Sequence, residues 1–114
     1  KQLGSRLDFP TANLLWPKKK AIPPKGVYAA RAYVDEAWYI AAVNVGTHPT
    51  APGGPPTIEA NLLDYEGGSL YGHHMRLLLC SFVRSEKKFD SLEALRDEVM
   101  KNREQVRTYF ENRR

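Results

Sequence analysis

Two runs of strand-forming residues separated by only two polar residues set the strongest limit on what this chain can fold into. Val27–Val34 and Ala37–Val45 are rich in β-branched and aromatic residues, and Asp35-Glu36 between them leaves room only for a tight hairpin. Two further runs, 57–64 and 75–84, read as strands, while 51–56 and 66–69 are loops by their glycine, proline and serine content. From Asp90 the period changes. Leu92, Leu95, Val99, Val106, Tyr109 and Phe110 recur at three- and four-residue steps, the stripe of an amphipathic helix lying on a sheet. Asp90 is expected to cap that helix with Glu93 reaching back, and Arg113 and Arg114 suit the negative end of its dipole. Short antiparallel strands followed by one helix predict a mainly β fold, a small barrel or sandwich whose open end the helix covers. The expected organisation is a single domain over 1–114, with the β part at 9–89 and the helix at 91–112.

A chain of 114 residues, 42% hydrophobic and 26% charged, has the composition of an ordinary globular domain that needs no staples. No apolar run approaches the ~20 residues that span a bilayer, and Lys1–Arg6 lacks the apolar core of a signal peptide. The single cysteine, Cys80, sits in an apolar run and is expected to be a buried thiol, so a reducing, cytoplasmic setting is the default. The net charge of +4 is modest, and Lys18-Lys19-Lys20 between prolines reads as a solvated loop face. Such a field would hasten encounter with an anionic nucleotide without giving specificity.

Three distant stretches carry the candidate chemistry. In Pro10-Thr11-Ala12-Asn13 an extended backbone places Thr11 and Asn13 on one face, and two neutral oxygens suit a hard cation that borrows phosphate oxygens. The bland reading is a turn entering a strand. Gly46-Thr47-His48-Pro49-Thr50 ends a strand and turns, so its backbone amides and hydroxyls could form an anion-binding nest, or simply a turn. Glu59 shares a strand face with Asn61; it either points to solvent or sits in a cavity, where it could accept the proton of an attacking hydroxyl. His73-His74 point to opposite faces of a strand and read as surface residues, not as a chelating pair, while Trp16 and Trp38 read as core aromatics that could alternatively stack on a flat ligand. No P-loop, dinucleotide fingerprint, nucleophile elbow or His-Glu-x-x-His occurs.

Read in order, Leu7–Leu14, Ile22–Ala29, Val43–Thr50, Thr57–Asp64, Leu70–Gly72 and Lys87–Leu95 resemble the riboflavin kinases over nearly the whole chain. The resemblance implies a six-stranded Greek-key antiparallel β-barrel with a C-terminal amphipathic helix, binding magnesium ATP on one side and riboflavin on the other. It implies that Thr11 and Asn13 contact Mg2+ and the nucleotide phosphates, and that Glu59 is the base acting on the ribityl 5′-hydroxyl to give FMN. Pro10, Gly46 and Thr47 complete the nucleotide-site set. Asp8 stands where the family usually has glycine, and Asn61 where it often has histidine, so no role is carried to Asn61. The chain starts inside the phosphate-covering loop, without the family's preceding strand. It is expected to be the C-terminal kinase half of a bacterial two-domain enzyme whose N-terminal half is an FMN adenylyltransferase. Riboflavin and ATP are then the partners, with no membrane and no nucleic acid. Two alternatives stand beside this: a basic β-barrel stacking single-stranded nucleic acid on Tyr28, Tyr33, Trp38 and Tyr39, and a truncated, inactive flavin-binding domain.

Overall fold

Alternation of small and branched apolar residues along the strands decides which face of the sheet forms the main core and which receives the helix. The computed structural model describes the backbone of residues 11–14 and residues 21–47, 56–68, 70 and 73–113. Within these lie β1 (Thr11–Leu14), β2 (Gly26–Val34), β3 (Ala37–Gly46), β4 (Thr57–Leu62), β5 (Arg76–Ser85) and one helix, α1 (Leu92–Glu111). The strands form one antiparallel sheet in the order β1-β4-β3-β2-β5. The fold is mainly β with a C-terminal helix, as the periodicity predicts. A sixth strand and a closing pair between β1 and β5 are not among the described residues.

The β2–β3 hairpin turns on Asp35 and Glu36, both with positive φ, 52° and 63°. That is the backbone twist a two-residue connection needs, and Asp35 tolerates it better than most residues. Its carboxylate accepts from Tyr65 Oη at 2.7 Å, and His73 Nδ1 lies 3.2 Å from Oδ1 without making a hydrogen bond. The Asp35 contact pushes the Tyr65 hydroxyl up to about 12, with burial adding to it.

On one face, Tyr28, Ala30, Ala32 and Val34 of β2 meet Ala41, Val43 and Val45 of β3 and Ile58, Ala60 and Leu62 of β4 in the main core. On the other, Val27, Ala29, Ala42 and Leu63 form a smaller core with Val106 of α1, flanked by Tyr109 and Phe110. Alanines at 29 and 42 leave room for the helix to seat Val106, which is fully buried. Burying one such side chain contributes on the order of 1.5–3 kcal/mol. Arg31 lies 4.9 Å over the Phe110 ring and Arg113 4.0 Å over Tyr109, so the helix end is fastened by cation–π contacts.

Several sequence expectations shift. Ser91, not Asp90, is the N-cap: its hydroxyl accepts from Ala94 N at 3.0 Å. β4 stops at Leu62, two residues short of the expected end, because Asp64 turns into positive φ (61°) and pairs with Arg107 at 2.9 Å. The hydrogen bond and charge of Arg107 hold the Asp64 carboxyl below its ordinary range. Trp38 is surface-exposed and leans on Tyr33, ring centroids 5.1 Å apart, because the hairpin tip runs past the cover the helix provides. Cys80 is half-buried on the edge strand and contacts the Leu78 carbonyl at 3.4 Å. Trp16, Lys18–Lys20, Arg114 and the loop around Gly4–Leu7 lie outside the described residues. No helix among the described residues is long and apolar enough to cross a membrane.

Gly26 opens β2 at φ 151°, and a methyl there would overlap the Arg84 carbonyl oxygen and reach within 2.8 Å of Phe82. Gly26→Ala is therefore expected to cost at least ~2 kcal/mol in urea unfolding, since strain and overpacking each cost about 1–3 kcal/mol. Ser91→Ala, which removes only the cap, should cost about 1 kcal/mol. Equal midpoints for Gly26→Ala and the parent would contradict the close approach of β2 to β5.

Candidate functional site

The sheet register builds two cross-strand rows on the face beneath α1. Asn13 pairs with Glu59, Glu59 with Asn44, Asn44 with Val27 and Val27 with Arg84, a row crossing all five strands. The neighbouring row runs Thr11, Asn61, Ala42, Ala29 and Ser81. Thus the backbone sets the Thr11–Asn13 segment directly against Glu59 and Asn61, although the paired residues lie 46 and 50 positions apart in sequence.

Between this face and α1 lies a cavity of about 650 Å3. Its sheet wall is Val27, Ala42, Asn44, Glu59, Asn61 and Arg84; Glu86–Ser91 forms the connector wall, and Leu92, Leu95, Val99 and Asn102 come from the helix. The helical stripe thus divides: its C-terminal part packs as core, its N-terminal part is left lining a space. The cavity is apolar along Val27, Leu92, Leu95 and Phe89 and polar where the asparagines and Glu59 converge. That mixture suits a flat ring system carrying a hydroxylated chain.

Glu59 is partly withdrawn from water, and its carboxyl is raised above the ordinary 4.5 by desolvation. Of the two readings open from sequence, the cavity one holds, because Ile58 and Ala60 occupy the core face of β4 and alternation sends Glu59 the other way. Asn61 accepts a hydrogen bond from Arg103 Nη1, which also reaches the Leu62 carbonyl at 3.4 Å. The helix thereby grips the strand beside Glu59.

Arg84 is pinned at the end of the row. Its Nε donates to Asn102 Oδ1 at 3.0 Å and lies 3.0 Å from Glu98 Oε2, while Lys87 Nζ is 3.3 Å from Glu98 Oε1. Burial pushes the Glu98 carboxyl up, but hydrogen bonds from Asn102 and Lys87 outweigh it and leave the group below its ordinary value. At the mouth, Thr47 N–H donates to Glu86 Oε2 at 3.0 Å and Thr47 Oγ1 to Glu86 Oε1 at 3.2 Å. Any side chain on Gly46 would come within 3.2 Å of that carboxylate and 3.1 Å of Thr57 Oγ1, so the glycine permits the close approach.

Of the residues singled out from sequence, Thr11 and Asn13 are joined to Glu59 through backbone register, and Gly46 and Thr47 lie at the end of β3, the strand paired with β4. Pro10, His48, Pro49 and Thr50 lie outside the described residues. Asn44 and Asn102 escaped the sequence reading, Asn61 was noted only as sharing the Glu59 face, and Arg84 and Glu86 belong to the run 84–89, which periodicity leaves open between a solvated connector and the wall of a ligand site and which lines the cavity here. Asn61, two residues beyond Glu59, was within reach of an alternation argument; the others depend on register or on how the connector folds back. Among the described residues no group of three or more His, Cys, Asp or Glu gathers as for a metal.

A family model described as riboflavin kinase (Flavokinase) matches residues 1–110. The chain is 33% identical to the bifunctional riboflavin kinase/FMN adenylyltransferase of Bacillus subtilis (strain 168), over 97% of this chain and 36% of that protein. Against the protein of the same description from Escherichia coli (strain K12) it is 34% identical, over 96% and 34% respectively. An RNA-binding riboflavin kinase of B. subtilis is 34% identical over 97% of this chain and 47% of its own length. A solved chain described as a macrolide-efflux protein from Streptococcus pneumoniae matches with TM-score 0.80 and 29% identity, covering 91% of this chain and 34% of that one. The chain thus spans about a third of the length of the bifunctional relatives, 36% and 34%.

The raised Glu59 carboxyl has a stability consequence of definite sign. Below pH 4.5 it is neutral in the folded and unfolded chains alike; as the pH rises, the unfolded chain ionises first and the folded state loses stability until the folded group has also ionised. Glu59→Gln is therefore expected to melt at a higher temperature than the parent at pH 7, with the gap closing as the pH falls below 4.5. A variant less stable than its parent at neutral pH would mean that the ionised carboxylate is favourably held.

Proposed function

This chain belongs to the riboflavin kinase family, and from that premise we propose that it transfers the terminal phosphoryl group of ATP to the 5′-hydroxyl of riboflavin, giving FMN and ADP. The observation that carries the reading is Glu59: a desolvated carboxylate on the floor of a part-apolar, part-polar cavity, opposite Asn13 in register. The isoalloxazine ring would lie along Val27, Leu92, Leu95 and Phe89, with the ribityl chain directed to Asn44, Asn61 and Glu59.

In this pose Glu59 accepts the proton as the ribityl O5′–H bond breaks. The oxygen bonds to the terminal phosphorus, the bond from that phosphorus to the bridging oxygen breaks, and ADP leaves with the electron pair. A base with a raised carboxyl is better matched to an alcohol than an ordinary one, and general-base help of this kind is worth about 10²–10⁴ in rate. Phosphoryl transfer otherwise asks for positioning and charge neutralisation. Thr11 and Asn13, set against Asn61 and Glu59 by the β1–β4 pairing, bring a hydroxyl and an amide oxygen, a donor set that fits a hard cation. Magnesium held there would neutralise phosphate charge; Thr11 and Asn13 would be its ligands. We further assign an N-terminal FMN adenylyltransferase region to the full-length protein, on the descriptions of the bifunctional relatives.

The nucleic-acid alternative has one relative described as RNA-binding behind it, but the four aromatic rings do not make one platform. Tyr28 is buried with its hydroxyl on the Pro24 carbonyl at 2.5 Å, and Tyr39 meets Tyr65 edge-on in the core. Kinase chemistry is the better-supported reading.

Incubation with riboflavin, ATP and Mg2+ is expected to yield FMN by chromatography. Glu59→Gln should lower turnover by ~10²-fold or more with little change in nucleotide affinity. In the parent, the acid limb of the rate profile should fall above the ordinary carboxylate value of 4.5. Unchanged turnover in the variant would remove Glu59 from the chemistry.

A further inference from the structure

Glu86 makes two hydrogen bonds to Thr47, the residue directly after β3. Thr47 N–H and Thr47 Oγ1 each take one of its carboxylate oxygens, at 3.0 and 3.2 Å, across 39 residues of sequence. A carboxylate gripping a backbone N–H and a hydroxyl in this way presents the geometry of a bound phosphate oxygen pair. Gly46 leaves just enough space for it, its nearest Glu86 oxygen 3.2 Å from where a Cβ would stand. Both Glu86 and Thr47 are exposed, so the contact adds little to stability in water and stands open to exchange.

We propose that Glu86 is a resident anion: an internal competitor that occupies the Gly46–Thr47 nest until a polyphosphate displaces it. This rests on the kinase reading for the identity of the incoming group, a nucleotide phosphate, though not for the existence of the anion site. Glu86 begins the connector between β5 and α1, and the next residues, Lys87 and Lys88, line the same cavity. Lys87 is held from the far side by Glu98 at 3.3 Å. Entry of a phosphate would exchange a single carboxylate for a more highly charged anion at a connector that carries two lysines, Lys87 and Lys88, next to Glu86 in sequence. The internal carboxylate also sets a threshold. Weak monoanions meet an occupied nest, whereas a polyphosphate has the charge to win it. Apparent affinity for the ligand is reduced by the fraction of molecules in which the nest is free.

Titration calorimetry with ATP and Mg2+ against the parent, Glu86→Gln and Glu86→Ala tests this. Both variants are expected to bind ATP about 3–10-fold more tightly, as they would if the nest is free in roughly a tenth to a third of parent molecules. In an amide spectrum, inorganic tripolyphosphate should shift the Thr47 resonance in the parent, and at correspondingly lower concentration in the variants. Equal or weaker binding in both variants, or a Thr47 amide that ignores tripolyphosphate, overturns the proposal. The two readings separate cleanly. A parent that makes FMN while the Glu86 variants bind ATP like the parent loses the resident anion alone; a parent that makes no FMN while the Thr47 shift still depends on Glu86 loses the kinase reading alone.

Discussion

The strand register is the constraint from which the rest of this structure follows. Because side chains alternate along a strand, placing Ile58, Ala60 and Leu62 in the main core commits Glu59 and Asn61 to the opposite face. Antiparallel pairing then fixes what stands beside them: Asn44 and Ala42 on β3, Asn13 and Thr11 on β1. A slip of one residue in either pairing would bury the carboxylate in the core and empty the site. The hydrophobic core and the candidate active site are therefore two sides of one sheet, and the free energy that holds one register holds the other.

The helix serves both sides of that arrangement with different parts of one stripe. Val106, Tyr109 and Phe110 press onto Ala29 and Ala42, where missing side-chain bulk allows close approach. Leu92, Leu95 and Val99, a few turns earlier, find no such apposition and instead wall a space of about 650 Å3. Between the two parts, Asn102 and Glu98 bind Arg84, and Arg103 binds Asn61. These polar contacts fix the helix against β4 and β5 at the level of the cavity, so its apolar N-terminal half is held off the sheet without collapsing onto it. An unfilled apolar space costs stability in a structural core; its retention beside a desolvated carboxylate is what a binding site requires.

Two glutamates at the cavity are set in opposite circumstances. Glu59 is partly removed from water and its carboxyl is raised by that removal. Glu86 stays exposed and spends its oxygens on Thr47. In the proposed reaction poor solvation would suit the first to proton transfer, while the second holds the Thr47 donors. Residue type does not separate these roles. Environment does.

Much of the local structure was legible in the residues themselves. The β2–β3 hairpin, the strands at 57 and 76, and the change of period leading into α1 follow from side-chain shape and hydrophobic spacing, which act over a few residues and leave a local trace. The family resemblance, carried by Thr11, Asn13 and Glu59 in their motifs, was legible too. The choice of Ser91 over Asp90 as the cap is local too, a bond to Ala94 three residues on, and was missed; long-range consequences were not legible: that Asp64 ends β4 by pairing with Arg107, and that Trp38 lies outside the core. Nor were Asn44 and Asn102 visible as site residues, because an asparagine has the same local signature on a solvated surface as in a cavity, and for the same reason the run holding Glu86 stayed open between a solvated connector and a ligand wall. Sequence by itself determined the strands, the helix and which faces are apolar, since those are properties of neighbouring residues. Tertiary structure alone decided which strands pair and in what register, how far the helix stands off the sheet, and hence which polar groups lose water; these depend on contacts between residues distant in the chain, and desolvation exists only once those contacts are made.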